Sequence, residues 1–255
     1  MSERKRVSGI REEGSGDREW GTWESGQGDL SVPLPAGEDI PPEDPGSEAD
    51  PNLGEEAHVL KIDMNPRKPV VVGITGASGA ALARRAIEKL GDAGYPVIVT
   101  CTAAGMRVWK EELDESFAEF AERWHAKFAL EVLDVRDIGA SIASGRRLTS
   151  GMLVIPCSMD TLSAVASGRS MNLLERAADV TLKEARPLVL VPRETPLSPI
   201  HLENMLKLAR IGVRIVMPVP AFYLGPQTVE EVVDDVATRA IVALGITELA
   251  EENYP

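Results

Sequence analysis

From Pro66 onward, short β-branched runs alternate with helix-length amphipathic stretches. Runs of four or five apolar residues without polar alternation suit strands buried on both faces, so the pattern predicts a parallel sheet with helices on either side. Strands are expected at Val70–Ile74, Val97–Cys101, Met152–Pro156, Leu188–Val191 and Val213–Met217. Helices are expected at Ala80–Gly91, Ala104–Leu113, Glu115–Leu130, Asn172–Ala185, Pro199–Ile211 and Val229–Leu244, with Glu115–Leu130 inserted between strands two and three. Five strands with interleaved helices make a single doubly wound α/β domain, Rossmann-like or flavodoxin-like.

The segment before Pro66 lacks this pattern. It is rich in Gly, Pro, Glu and Asp, has neither helical nor strand period, and cannot bury enough apolar surface to offset its ordering entropy. The expected organisation is a disordered tail over 1–66, a folded domain over 67–246 and a short C-terminal tail over 247–255. Trp20 and Trp23 stand out in the tail, either as a docking motif or as aromatics without a specific role.

Charge follows the same division. The net charge is −13, yet residues 1–66 hold 16 acidic and 6 basic side chains, which leaves the folded part at −3. A nearly balanced domain has no basic field for nucleic acid or an anionic membrane. No apolar run approaches the ~18 residues of a membrane span, and Met1 to Asp50 lacks the apolar core of a secretory signal. A cytoplasmic protein is expected. Cys101 and Cys157 fall in or at the end of buried strands and read as reduced core thiols.

Candidate chemistry begins at Gly73-Ile74-Thr75-Gly76-Ala77-Ser78-Gly79, where a buried strand passes into a helix through small residues. N–H groups at a helix start lack intrahelical partners and lie at the positive end of the dipole, so they suit a phosphate. Thr75 and Ser78 can add hydroxyl donors. The spacing is G-x-x-G-x-x-G, not the dinucleotide fingerprint, and no acidic residue closes the second strand, so a mononucleotide is the better reading. The same residues also suit a tight turn capped by Ser78 with no ligand at all.

Ligands of open α/β sheets collect beyond the carboxyl ends of the strands. The other strand ends lead into Thr102-Ala103-Ala104, Cys157-Ser158-Met159-Asp160-Thr161, Pro192-Arg193-Glu194-Thr195-Pro196 and Pro218-Val219-Pro220-Ala221-Phe222-Tyr223. Hydroxyls, a cation, a carboxylate and a phenol therefore converge on one rim. From the residues alone, Arg176 could equally pair with Asp179 or Glu175, and Lys183 with Glu184 or Asp179. His201 near a helix start reads as structural or interfacial, and neither His58 nor His125 reads as a base.

Ile155-Pro156-Cys157-Ser158, the run Asn172-Leu173-Leu174-Glu175-Arg176-Ala177-Ala178-Asp179-Val180, and Arg186 to Leu206 resemble the flavin prenyltransferase (UbiX) family. The resemblance covers Val70 to about Ile246. It implies transfer of the dimethylallyl group of dimethylallyl phosphate to reduced FMN, with a fourth ring closed between flavin N5 and C6. The product, prenylated FMN, would serve a UbiD-type decarboxylase, and the enzyme would be a homo-oligomer, a dodecamer. Carried over by position, the FMN contacts implied are Gly76, Ala77, Ser78, Ser158, Met159, Asp160, Thr161 and Arg193. Thr102 is implied for the second loop, or Cys101 if a one-residue gap intervenes.

For the prenyl phosphate the resemblance implies Arg176, Lys183, Tyr223 and Arg239, some of them reaching a site shared between subunits. Such donors can stabilise a leaving phosphate without a metal. Glu194, with Glu111 or Glu112, is a reasonable proton relay beside Tyr223. The sequence also departs from the family: Ile138 stands where a tryptophan is common, Arg146 and Arg147 replace a small polar and aromatic pair, and Glu248–Pro255 replaces an aromatic-bearing tail. Two alternatives are a flavin-dependent cysteine decarboxylase, whose histidine and Pro-Ala-Ser-Ala-Asn-Thr stretch are missing here, and a non-catalytic FMN-binding assembly or delivery subunit.

Overall fold

The computed structural model describes residues 67–250. Expectations for 1–66, including Trp20, Trp23 and His58, and for 251–255 lie outside the described residues. Six strands, β1 (Val70–Ile74), β2 (Val97–Cys101), β3 (Leu130–Asp134), β4 (Gly151–Cys157), β5 (Leu188–Pro192) and β6 (Arg214–Ile215), form one sheet in the order β3-β2-β1-β4-β5-β6. Every neighbouring pair is parallel, with Val70 opposite both Val97 and Gly151. The five expected strands have the flavodoxin order among themselves, and β3 adds a sixth at the edge, giving the dinucleotide-fold order 3-2-1-4-5-6. The direction of winding reverses between β1 and β4.

Side chains of β1, β2, β4 and β5 are buried along their whole length and alternate between two cores, as a sheet covered on both faces requires. One core joins Val70, Val72 and Ile74 to α1 (Ala80–Asp92), α2 (Ala103–Leu113), α3 (Phe117–His125) and α7 (Val229–Leu244). The other joins Val71, Met152 and Leu190 to α4 (Met159–Ser167), α5 (Leu173–Lys183), α6 (Pro199–Arg210) and a 3₁₀ turn at Ser141–Ala143. Ile246 and Leu249 remain buried in the first core, and Tyr95 Oη donates to Glu248 at 2.6 Å. The chain thus stays docked past residue 246.

Three elements differ from expectation. The helix expected over Glu115–Leu130 ends at His125, and Leu130–Asp134 is an edge strand in which only Leu130 is buried and Glu131 and Asp134 interrupt the apolar run. Met159–Ser167, where no helix was expected, is α4: Ser158 accepts from Thr161 N–H as N-cap, and Gly168 at φ 70 stops the helix. Of Val213–Met217, only Arg214 and Ile215 are assigned as strand. The aromatic residues Trp109, Phe117, Phe120, Trp124 and Phe128 pack α2 against α3 at centroid distances of 4.6–5.7 Å.

Candidate flavin site

The crevice at the reversal is closed by Thr75. Its Oγ1 donates to Pro156 O at 2.8 Å and accepts the Ser158 N–H at 2.7 Å, so the end of β1 is tied to the end of β4. Thr75 is 1% exposed and its one hydroxyl proton goes to Pro156 O, which corrects its expected role as a phosphate donor. Beyond it, Gly76 approaches α2 so closely that a Cβ would lie 2.5 Å from Ala104 Cβ, and Gly79 takes φ 124 to enter α1. Only glycine meets the first constraint without displacement, and it is strongly favoured at the second. Among the described residues, the N–H groups of Gly76, Ala77 and Ser78 find no acceptor.

The start of α1 already faces an anion. Glu112, from the last turn of α2, accepts the Gly79 N–H at 3.0 Å and the Ala80 N–H at 2.7 Å. Partial burial pushes its carboxyl up, but the Ser78 hydroxyl, those two N–H groups and the nearby Arg193 outweigh burial and hold it below the ordinary carboxylate range. Glu111 instead pairs with Arg107 at 2.8 Å in solvent, so Glu112 is the carboxylate at the turn. Arg193 crosses from the end of β5, its Nε donating to Ser78 O at 3.4 Å.

Thr102 and Ser158 occupy equivalent places as N-caps of α2 and α4, accepting from Gly105 N–H at 3.0 Å and Thr161 N–H at 3.3 Å. Cys101 points into the core, where burial pushes its thiol up to about 12, so Thr102 is the hydroxyl on the rim. Thr161 is buried beneath Ser158, whose Oγ donates to it at 3.1 Å. The Asp160 carboxylate turns outward to Arg169 at 3.2 Å, leaving its backbone as the group near the crevice, while Met159 packs on the second core. Glu194 accepts the Thr195 N–H at 2.9 Å. Free N–H groups, the Thr102 hydroxyl and Arg193 around one crevice are a donor set that fits a phosphorylated cofactor.

The four residues expected at the prenyl phosphate lie on three elements. Arg176 and Lys183 lie on α5, over one face of the sheet, while Arg239 lies on α7, over the other. Tyr223 stands in a 3₁₀ turn, Phe222–Leu224, and is 77% exposed. Arg176 does pair with Asp179, at 2.9 Å, and also donates to Ala143 O at 3.3 Å. His201 serves a capping box with Ser198, and His125 Nδ1 lies 2.9 Å from Leu130 O. One residue without an expected role ties a neighbouring loop: Arg186, which donates to Gly145 O at 2.7 Å and Arg147 O at 2.8 Å. Arg186 opens the diagnostic run before β5, and its position immediately before Pro187 was the available signal.

The sequence model of the family described as Flavoprotein matches residues 60–241. Flavin prenyltransferase UbiX of Synechocystis sp. is 46% identical over 190 residues, which cover 70% of this chain and 92% of that protein. The dodecameric FMN-dependent UbiX-like decarboxylase from Escherichia coli O157:H7 superposes with a TM-score of 0.65 at 42% identity, over 69% of this chain and 94% of that one. AnUbiX, crystallised with FMN and dimethylallyl pyrophosphate, gives 0.66 at 38% identity, over 70% and 93%. The cysteine decarboxylase TvaF, at 14% identity and a TM-score of 0.50, shares the fold alone. With nearly the whole length of these relatives matched at such identity, the chain belongs to the flavin prenyltransferase (UbiX) family of flavoproteins.

Proposed function

We propose that this protein transfers a dimethylallyl group from its phosphate ester to reduced FMN, making prenylated FMN. The observation that carries the reading is the crevice between β1 and β4, where unpaired N–H groups of 76–78, the Thr102 hydroxyl and Arg193 converge. Residues 67–246 would be the flavin-binding unit. Held by the N–H groups of 76–78, Thr102 and Arg193, reduced flavin would supply the nucleophilic N5 and C6, and the phosphate would leave with the electron pair of the allylic C–O bond.

The chain's own groups serve the charges this creates. Arg176, Lys183, Tyr223 and Arg239 stabilise the departing phosphate by charge-assisted hydrogen bonds. No helix among the described residues is long and apolar enough to cross a membrane, and with two buried thiols we place the protein in the cytoplasm. Glu112, at the turn, and Glu194 form the proton relay. Because Arg176 and Arg239 cover opposite faces, the complete phosphate site takes residues from more than one copy, in a homo-oligomer such as a dodecamer. A UbiD-type decarboxylase is the recipient of the product.

Incubation with reduced FMN and dimethylallyl phosphate is expected to give a flavin heavier by one five-carbon unit on mass spectrometry. Recovery of unmodified FMN, with both ligands bound, would instead assign the protein as a non-catalytic carrier.

A further inference from the structure

The first turn of α5 stands at the carboxyl edge of the sheet, the edge of the flavin crevice: Leu173 N–H donates to Val135 O, just past β3, at 2.8 Å. Arg176 leaves the helix there. Beside it Glu175 is 4% exposed, so its carboxylate has given up water and needs other partners. The turn before the helix supplies them. Met171 N–H donates to Oε2 at 2.8 Å, Asn172 Nδ2 to Oε1 at 3.0 Å, and Arg169 Nη2 to Oε1 at 3.5 Å.

Capping alone does not call for this burial. Glu119 and Glu231 hold the same third position in α3 and α7, return their carboxylates to the N-cap N–H and stay exposed. In α5 the cap is the Asn172 side chain, which accepts the Glu175 N–H at 3.0 Å, while the Glu175 carboxylate reaches past it to Met171 and Arg169. No side chain from Arg169 to Asn172 is itself buried, so the buried carboxylate is the anchor of this stretch. Arg169 also pairs with Asp160 at 3.2 Å, in the first turn of α4, two residues past Ser158, whose N–H is tied to Thr75. Arg169 and Glu175 thus join the start of α5 to the start of α4 at the rim.

We infer that Glu175 is a positioning residue for the phosphate site, its buried carboxylate fixing the turn before α5 and with it the place from which Arg176 reaches the phosphate. The inference rests on the prenyltransferase reading above, which assigns Arg176 to the prenyl phosphate. The pair of Arg176 with Asp179, at 2.9 Å, lies within the helix and moves with it, so it cannot set where the helix starts.

Calorimetric titration of the FMN-loaded protein with inorganic phosphate reads the site without turnover. Glu175→Gln keeps the size of the side chain and loses the charge that gathers Met171 N–H and Arg169. It is expected to weaken phosphate binding about tenfold, with FMN affinity within about twofold of wild type. In an Arg176→Ala background the same change is expected to cost about twofold or less, because its effect passes through Arg176. Glu119→Gln, which removes an exposed capping carboxylate, is expected to leave phosphate affinity unchanged. Equal losses in both backgrounds, or FMN affinity falling by the same factor, make Glu175 a general support of the fold and overturn the inference. Unchanged phosphate affinity overturns it too. If Arg176→Ala alone abolishes phosphate binding, a crystal structure of Glu175→Gln decides: weakened binding with Arg176 still in its wild-type place overturns the inference, and a displaced Arg176 upholds it. Glu175→Asp, which keeps the charge on a shorter arm, serves the same tests if the glutamine variant fails to fold. Arg176-dependent loss of phosphate binding, with unmodified FMN recovered from wild type given dimethylallyl phosphate, upholds the positioning role and overturns the prenyltransferase reading.

Discussion

Thr75 and Ser158 share one hydrogen bond, and it holds the two loops of the flavin crevice at a constant separation. Valine has the shape of threonine without the hydroxyl, so Thr75→Val would leave the Ser158 N–H unpaired at the bottom of the crevice. The expected cost is about 1–3 kcal/mol of stability, together with weaker FMN binding, and Thr75→Ser should restore both. Denaturant midpoints and FMN titrations check this; wild-type behaviour of the valine variant would remove Thr75 from its positioning role. Glu112 makes a pH-dependent contribution. Its folded carboxyl lies below its ordinary value of 4.5, so the stability it adds is fully present above that value and lost as pH falls through the depressed one. Acid unfolding of the wild type should show this loss below about pH 4.5, and Glu112→Gln should show less of it in a melting series across that window.

At the scale of elements, the helices were the most legible. α7 spans Val229–Leu244 as expected, and α1, α2, α5 and α6 fall within two residues of expectation because each begins at a clear capping or turn signal. The edge strand β3 was not legible, since only its Leu130 is buried and Glu131 and Asp134 break the continuous apolar run that its neighbours have. The aromatic residues counted as part of an inserted helix proved to be the packing between α2 and α3. Trp109 is fully buried at the centre of that group. Trp109→Ala is expected to cost about 3–5 kcal/mol by cavity formation, seen as a lower melting temperature. Since α2 carries Glu112 and presents Ala104 to Gly76, the same variant should also weaken FMN binding. A loss of stability with unchanged FMN affinity would separate α2 packing from the turn.

The whole molecule divides the proposed phosphate ligands between the two faces of its sheet, Arg176 and Lys183 on one and Arg239 on the other. The homo-oligomer proposed above would draw them from different copies. Phe222 and Tyr223 are 79% and 77% exposed, and Leu202 and Leu206, four residues apart on α6, are exposed together, surfaces suited to contact with other copies. Arg176→Ala and Arg239→Ala should each be inactive alone. If each site draws the two arginines from different copies, mixed and reassembled oligomers should recover about a quarter of wild-type activity. No recovery, with mixed assembly verified by native mass spectrometry, would place both arginines in one subunit's site. Tyr223→Phe should lower prenyl transfer without changing FMN affinity.

By itself the sequence determined the α/β class, the strand-to-helix turn at Gly76–Gly79 and the rim residues, because these depend on local periodicity, glycine spacing and strand ends. The family motifs determined the chemistry. Only the tertiary structure decided what each polar group faces. Thr75 proved to be a tie between strands and not a ligand donor, Glu112 and not Glu111 lies at the start of α1, and Thr102 and not Cys101 stands on the rim. The physical reason is that a hydrogen-bond partner is set by which strand ends and helices meet across the reversal between β1 and β4, and that meeting joins residues some 80 positions apart, as Thr75 and Ser158 are.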